Sequence, residues 1–162
     1  YEIGVRLVGS EMCIRDRTYN ADTQKMMCGG TIVSSSNGTK GMEYVLPTGN
    51  YYLLDNITFT GTIKISGDVN LCLNGKCITN LAQNYASTIA VLARGNLTLC
   101  DHEDGTITSK DQKSYGVQFK AYNGIPKFTM YGGTITGTDA GVCQDASAGV
   151  FNMYGGAITG IE

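Results

Sequence analysis

Apolar and polar residues alternate along this chain in short runs, and the runs close on glycine or asparagine. Leu71-Cys72-Leu73, Leu97-Thr98-Leu99, Phe128-Thr129-Met130 and Phe151-Asn152-Met153 each set two large apolar side chains two residues apart. That spacing places them on one face of a strand, so they point to a core while Cys72, Thr98, Thr129 and Asn152 point out. The runs also repeat. Phe128-Thr-Met-Tyr-Gly-Gly-Thr-Ile-Thr-Gly137 returns as Phe151-Asn-Met-Tyr-Gly-Gly-Ala-Ile-Thr-Gly160. Leu71 to Thr79 aligns with the first of these without a gap, and Leu97 to Thr108 aligns once the Asp101–Asp104 turn is allowed as an insertion.

Ile78, Ile107, Ile135 and Ile158 mark successive units, and Ile57-Thr58 opens the series. A period of 20 to 30 residues built from short strands and glycine turns predicts a solenoid in which each coil rests on the one before. Gly132-Gly133 and Gly155-Gly156 fall between two strands of a coil, where a sharp corner calls for glycine. A third strand per coil is expected at Thr88–Val91, Gly116–Phe119 and Gly141–Cys143, which gives about three faces per turn. The fold class is therefore all-β, a parallel β-helix of about four to five coils. Like residues would stack about 4.8 Å apart up the axis.

Composition agrees with strand and turn. The chain has 22 glycines and only two prolines, and glycine costs about 1 kcal/mol in a helix interior. Threonine, abundant throughout, is stiff and β-branched. The net charge of −2 leaves no basic footprint for nucleic acid or an anionic membrane. No apolar stretch approaches the length of a spanning helix, so membrane insertion is not expected.

The first seventeen residues do not share the pattern. Val8-Gly-Ser-Glu-Met-Cys-Ile-Arg-Asp-Arg17 back-translates to GTG GGC TCG GAG ATG TGT ATA AGA GAC AG, a string that resembles a sequencing adapter, and Tyr1-Glu2-Ile3 fits its far end. Residues 1–17 are accordingly read as a translated scar and excluded from the fold. Residues 18–43, with the polar run Ser34 to Lys40, are read as the remnant of an N-terminal cap or a loop. Residues 44–162 form the repeat domain. The repeat stops without a cap, so further coils or domains of a longer, secreted or surface-exposed chain are expected as its partners. Beyond the scar remain Cys28, Cys72, Cys77, Cys100 and Cys143. They contain no C-x-x-C pair and are odd in number, which argues against zinc and against complete internal pairing. If one disulfide forms, Cys72 and Cys77 are the first pair to test.

Leu46-Pro-Thr-Gly-Asn-Tyr-Tyr-Leu53, Ile63 to Thr79 and the M-Y-G-G-[TA]-I-T-G units resemble the right-handed parallel β-helix repeat proteins of pectin-lyase-like fold. Such proteins occur as large surface or secreted proteins of anaerobic Gram-positive gut bacteria, and the likeness covers roughly residues 44–160. It implies a right-handed β-helix used as a scaffold. Where this sequence has Lys76, those repeats commonly carry histidine. Activity is not implied, because on this fold it lies in sites added to the repeat.

Four sets of residues bear chemistry. Asp101, His102, Glu103 and Asp104 crowd into one turn and include the chain's single histidine. Asp101, Glu103 and Asp104 are oxygen donors suited to Ca²⁺, the one cofactor the sequence suggests, or to acid–base work, set against the ordinary collection of polar groups on a solvated turn. Carboxylates converging on one face would mark a polysaccharide lyase or glycoside hydrolase. Yet Asp55, Asp68, Asp139 and Asp145 fall at different points of their units, and Arg94 is the one arginine after the scar, so no catalytic residue is nominated. Thr106 and Thr108, with Thr134 and Thr136, flank an inward isoleucine and suggest an outward threonine ladder. Such ladders bind ice in some β-solenoids, although Cys77 and Ala157 interrupt this one. Tyr131 and Tyr154 stand in register before the corner, with Asn74 and Cys100 at equivalent sites, and offer rings that stack on sugars. The expected function is a non-catalytic extracellular scaffold presenting a rigid surface for adhesion or glycan contact. A polysaccharide-active enzyme and an ice-binding solenoid stand as the alternatives. Polysaccharide or host glycan is the expected ligand.

Overall fold

The computed structural model describes residues 42–53, 55–82, 86–120, 123–145 and 148–161. The expected scar, residues 18–41 of the expected cap, and Cys28 lie outside the described residues. Every regular element among the described residues is a strand, fifteen in all: β1 Met42–Leu46, β2 Gly49–Tyr52, β3 Ile57–Phe59, β4 Gly61–Ile65, β5 Asp68–Cys72, β6 Cys77–Asn80, β7 Ser87–Leu92, β8 Asn96–Cys100, β9 Thr106–Ser109, β10 Tyr115–Lys120, β11 Lys127–Met130, β12 Thr134–Gly137, β13 Ala140–Gln144, β14 Val150–Met153 and β15 Ala157–Gly160. They pair into three five-stranded parallel sheets. Sheet A runs β1-β4-β7-β10-β13, sheet B runs β2-β5-β8-β11-β14, and sheet C runs β3-β6-β9-β12-β15. Each three consecutive strands thus make one coil, five coils among the described residues, and these form a right-handed parallel β-helix.

The isoleucine series sets the register of sheet C. Ile57 pairs with Ile78, Ile78 with Ile107, Ile107 with Ile135 and Ile135 with Ile158. Ile78, Ile107 and Ile135 are fully buried. In sheet A the corresponding columns are Ile63, Ile89, Val117 and Val142, and Ile65, Val91 and Phe119. The three inner faces merge into a single apolar core. Burying side chains of this size stabilises the fold by about 1.5–3 kcal/mol each, and the parallel ladders satisfy the backbone between coils.

Sheet B departs from the ungapped alignment. Val69, not Leu71, stands beside Leu97 and Phe128, while Leu71 pairs with Leu99 above it. The shift is two residues, and its cause is the corner that follows. In the fourth and fifth coils Met130 and Met153 precede the column isoleucine by five residues, whereas Leu71 precedes Ile78 by seven. The extra length holds Leu73, which is fully buried and fills the corner. Cys72 rather than Asn74 is therefore the counterpart of Cys100. Cys72 was expected to face solvent, but it is buried with Cys100 against Tyr131.

Two kinds of corner join sheets B and C. Gly133 and Gly156 adopt φ of 87° and 93°, as the Gly-Gly pattern predicted, whereas the second coil turns through Asn74 (φ 53°) and Gly75 (φ 68°). Asparagine enters this region more readily than most non-glycine residues, and here the Asn74 Nδ2 donates to the Leu53 carbonyl of the preceding coil at 3.0 Å. Between sheets C and A, the buried Asn80 accepts the Ala82 N–H at 3.0 Å and the Gly61 N–H at 3.3 Å on its Oδ1.

Phe151 and Met153 occupy their expected columns, and the Phe151 ring stacks on Phe128 at 5.0 Å. They are nevertheless 37% and 44% exposed, because β14 is the edge of its sheet and no described strand lies beyond it. Cys72, Cys77 and Cys143 keep their thiols, so Cys72 and Cys77, the first pair to test for a disulfide, are not bonded to each other. Cys100 is disulfide-bonded. Among the described residues no helix is long and apolar enough to cross a membrane.

Candidate functional site

The acidic turn is a corner device. It fills the connection between β8 and β9, where Asp101 reaches across to the neighbouring coil. Asp101 Oδ1 accepts the Gly75 N–H at 2.9 Å and Oδ2 accepts the Gly105 N–H at 2.7 Å. Both oxygens thereby tie down backbone donors that the corner leaves outside the sheets. His102, Glu103 and Asp104 are exposed, and the His102 Nε2 stands 3.8 Å from a Glu103 oxygen. Among the described residues no three His, Cys, Asp or Glu side chains gather closely enough to hold a metal ion.

Tyr131 and Tyr154 stack as the repeat suggested, with ring centroids 5.2 Å apart and planes 14° from parallel. Tyr131 is half-buried against Cys72 and Cys100, while Tyr154 is 61% exposed. One ring therefore fills the corner, and the other, in the last described coil, is exposed. Thr134 and Thr136 lie past that corner, on the outer face of sheet C.

On that face strand alternation builds two outward columns beside the isoleucines. Cys77, Thr106, Thr134 and Ala157 form the first, and Thr58, Thr79, Thr108, Thr136 and Thr159 form the second. The second is unbroken through all five coils. Seven of these nine positions are threonine and none is charged. The interruptions at Cys77 and Ala157 are confined to the first column. Thr58 and Thr159 are exposed, and the threonines between them are shielded only in part by their neighbours. Columns about 4.8 Å apart per coil, separated by about 6.8 Å along the strand, make a flat grid of hydroxyl and methyl groups. Branching at Cβ holds those groups in few rotamers.

A further cluster gathers at one end of sheet A. The Tyr115 hydroxyl bonds to Asp139 and lies near Cys143, and burial followed by this bond raises its pKa from 10.0 to about 12. The Cys143 thiol is pushed up by burial and by the neighbouring Asp145 and Asp139 charges. Asp145 Oδ2 also accepts from Gln118 Nε2 at 3.4 Å. These are the carboxylates that the sequence scattered over different points of the repeat. They converge because β10 and β13 are neighbours and because Asp139 and Asp145 bracket the latter strand. Both titrating groups are held in their neutral forms, which is the reverse of an activated nucleophile. Asp68 lies on sheet B, where Asn96 Nδ2 donates to it at 3.3 Å, and Asp55 is exposed between β2 and β3.

No family model, no curated protein and no solved structure matches this chain, so its place among known proteins rests on architecture alone: a five-coil parallel β-helix with an uncharged threonine face.

Proposed function

We propose that this chain is a non-catalytic extracellular scaffold that presents a rigid surface for adhesion or glycan contact. One observation carries the reading: the outer face of sheet C, where threonines recur in register over five coils. A grid of this kind is preorganised, because each side chain is fixed by the coil beneath it and little freedom is lost on binding. Affinity then grows from many weak contacts along the repeat. The exposed Tyr154 ring at the adjoining corner adds a surface on which a sugar ring stacks.

Glycan-array binding by the recombinant chain tests the proposal. Retention of host or plant sugars supports it, and a blank array counts against it. Incubation with pectin, alginate and host glycans separates the scaffold from the enzyme. Release of reducing sugar or unsaturated uronate would replace the scaffold reading with that of a polysaccharide-active enzyme.

A further inference from the structure

We infer that Cys100 is bonded to Cys28, so that a disulfide straps the stretch before β1 to the third coil, and that Cys72 is the thiol placed to displace Cys28 and release the strap. This device is independent of whatever ligand the scaffold presents. The partner of Cys100 follows by elimination. The chain has six cysteines. Cys100 is disulfide-bonded, and Cys72, Cys77 and Cys143 keep their thiols. That leaves Cys13 and Cys28, both N-terminal to β1. Cys13 falls in the stretch read as a translated scar, so the bond is assigned to Cys28.

Register and burial single out Cys72. It ends β5 as Cys100 ends β8, and the two are partners in the parallel ladder. Adjacent strands lie about 4.8 Å apart, within the span of about 4.4–6.8 Å between Cα atoms that a disulfide bridges. Alternation turns both side chains outward, since Leu71 and Leu99 beside them are fully buried in the core. Yet Cys72 is 2% and Cys100 4% exposed, packed together against Tyr131, while Asn70 and Thr98, two residues earlier on the same face, stay partly exposed. A third sulfur thus sits beside the bond in a covered site. Cys77 and Cys143 lie on strands of the other two sheets and lack this effective concentration. In the exchange the Cys72 thiol gives up its proton and its sulfur attacks Cys100 Sγ. The Cys72–Cys100 bond forms as the Cys28–Cys100 bond breaks, and Cys28 leaves as a thiolate that takes up a proton. One thiol and one disulfide enter and leave, so no oxidant or reductant is consumed. A tether from the N-terminal stretch is traded for a bond between neighbouring coils.

The test is peptide mapping, without reduction, of the full chain blocked with N-ethylmaleimide at mildly acidic pH, where thiolates are scarce. The expected map has one linked pair, Cys28 with Cys100, and maleimide on Cys13, Cys72, Cys77 and Cys143. A second sample is left unblocked for a prolonged incubation, with circular dichroism confirming that it stays folded. In it the Cys72–Cys100 pair should appear at the expense of Cys28–Cys100, with the label moving from Cys72 to Cys28 and the number of labels unchanged, the mark of exchange rather than oxidation. Cys72→Ser should hold the link at Cys28–Cys100 through the same incubation, and Cys77→Ser should leave the exchange as it is. A Cys13–Cys100 pair in the first sample overturns the assignment to Cys28, and maleimide on Cys100 overturns the strap altogether. A Cys28–Cys100 link that survives incubation unchanged in the parent chain, or that passes to Cys77 or Cys143 instead, overturns the role of Cys72.

Discussion

Asp101 accepts the backbone N–H of Gly75 across the boundary between two coils, at 2.9 Å. This contact turns an inserted acidic turn into a clamp, and its second oxygen holds Gly105 in the same way. Asp101→Ala leaves both donors without their partner, and urea unfolding should show a loss of about 1–3 kcal/mol. Asp104→Ala, at an exposed position of the same turn, should stay within about 0.5 kcal/mol of the parent. Calorimetric titration with Ca²⁺ should give no saturable heat. A saturable heat abolished by Asp104→Ala would instead establish the turn as a metal site.

Close approach of the clamp to the next coil also dictates a glycine. A Cβ on Gly132 would collide with the Asp101 carbonyl, a backbone atom with nowhere to retreat, whereas a Cβ on Gly149 would meet the Phe119 ring at 3.5 Å, an ordinary contact. Gly132→Ala should therefore cost about 1–3 kcal/mol by overpacking, and Gly149→Ala little. Equal melting temperatures for the two variants would show that the coils are not packed as described.

Tyr115 gives the chain a dependence on alkaline pH. Burial and the Asp139 hydrogen bond push its pKa up from the ordinary 10.0 to about 12, so the folded chain holds this proton more tightly than the unfolded one. The stability linked to it is fully present below pH 10 and is lost as the pH rises towards 12. Absorbance titration of the phenolates should contain a late step near pH 12 from Tyr115. Tyr115→Phe should remove that step and flatten the fall in stability over the same interval.

Cys143 should alkylate more slowly than an unperturbed thiol, since burial and two carboxylates disfavour the thiolate. Asp145→Asn removes one of those charges and should speed the reaction with iodoacetamide at mildly alkaline pH, read by mass spectrometry of the modified peptide. An unchanged rate would show that Asp145 does not face the thiol.

Ile78, Ile107, Ile135 and Ile158 were legible as a column because a repeating landmark beside a glycine corner fixes its own register. Val69, Leu71 and Leu73 were not, because strand alternation is unchanged by a slip of two residues, and only the length of the following corner distinguishes the alternatives. That length varies from coil to coil, so the ungapped alignment slid. The threonine grid was legible at Thr106, Thr108, Thr134 and Thr136, whereas Cys77 and Ala157, which interrupt the first column, masked the continuity of the second through Thr58, Thr79 and Thr159. The Tyr115, Asp139, Cys143 and Asp145 cluster carried no signal of its own. It spans two coils and includes positions at the ends of a strand, where alternation no longer predicts direction.

Every outward column described here depends on the inward one, and methyl NOEs between isoleucines measure that column directly. With isoleucine δ1-methyl labelling, the account predicts cross-peaks joining Ile78 to Ile107, Ile107 to Ile135 and Ile135 to Ile158, with none between Ile78 and Ile158. Isoleucine methyls that show no such neighbour-to-neighbour series, or that link Ile78 to Ile158, would contradict the stacked coils and remove the threonine face with them.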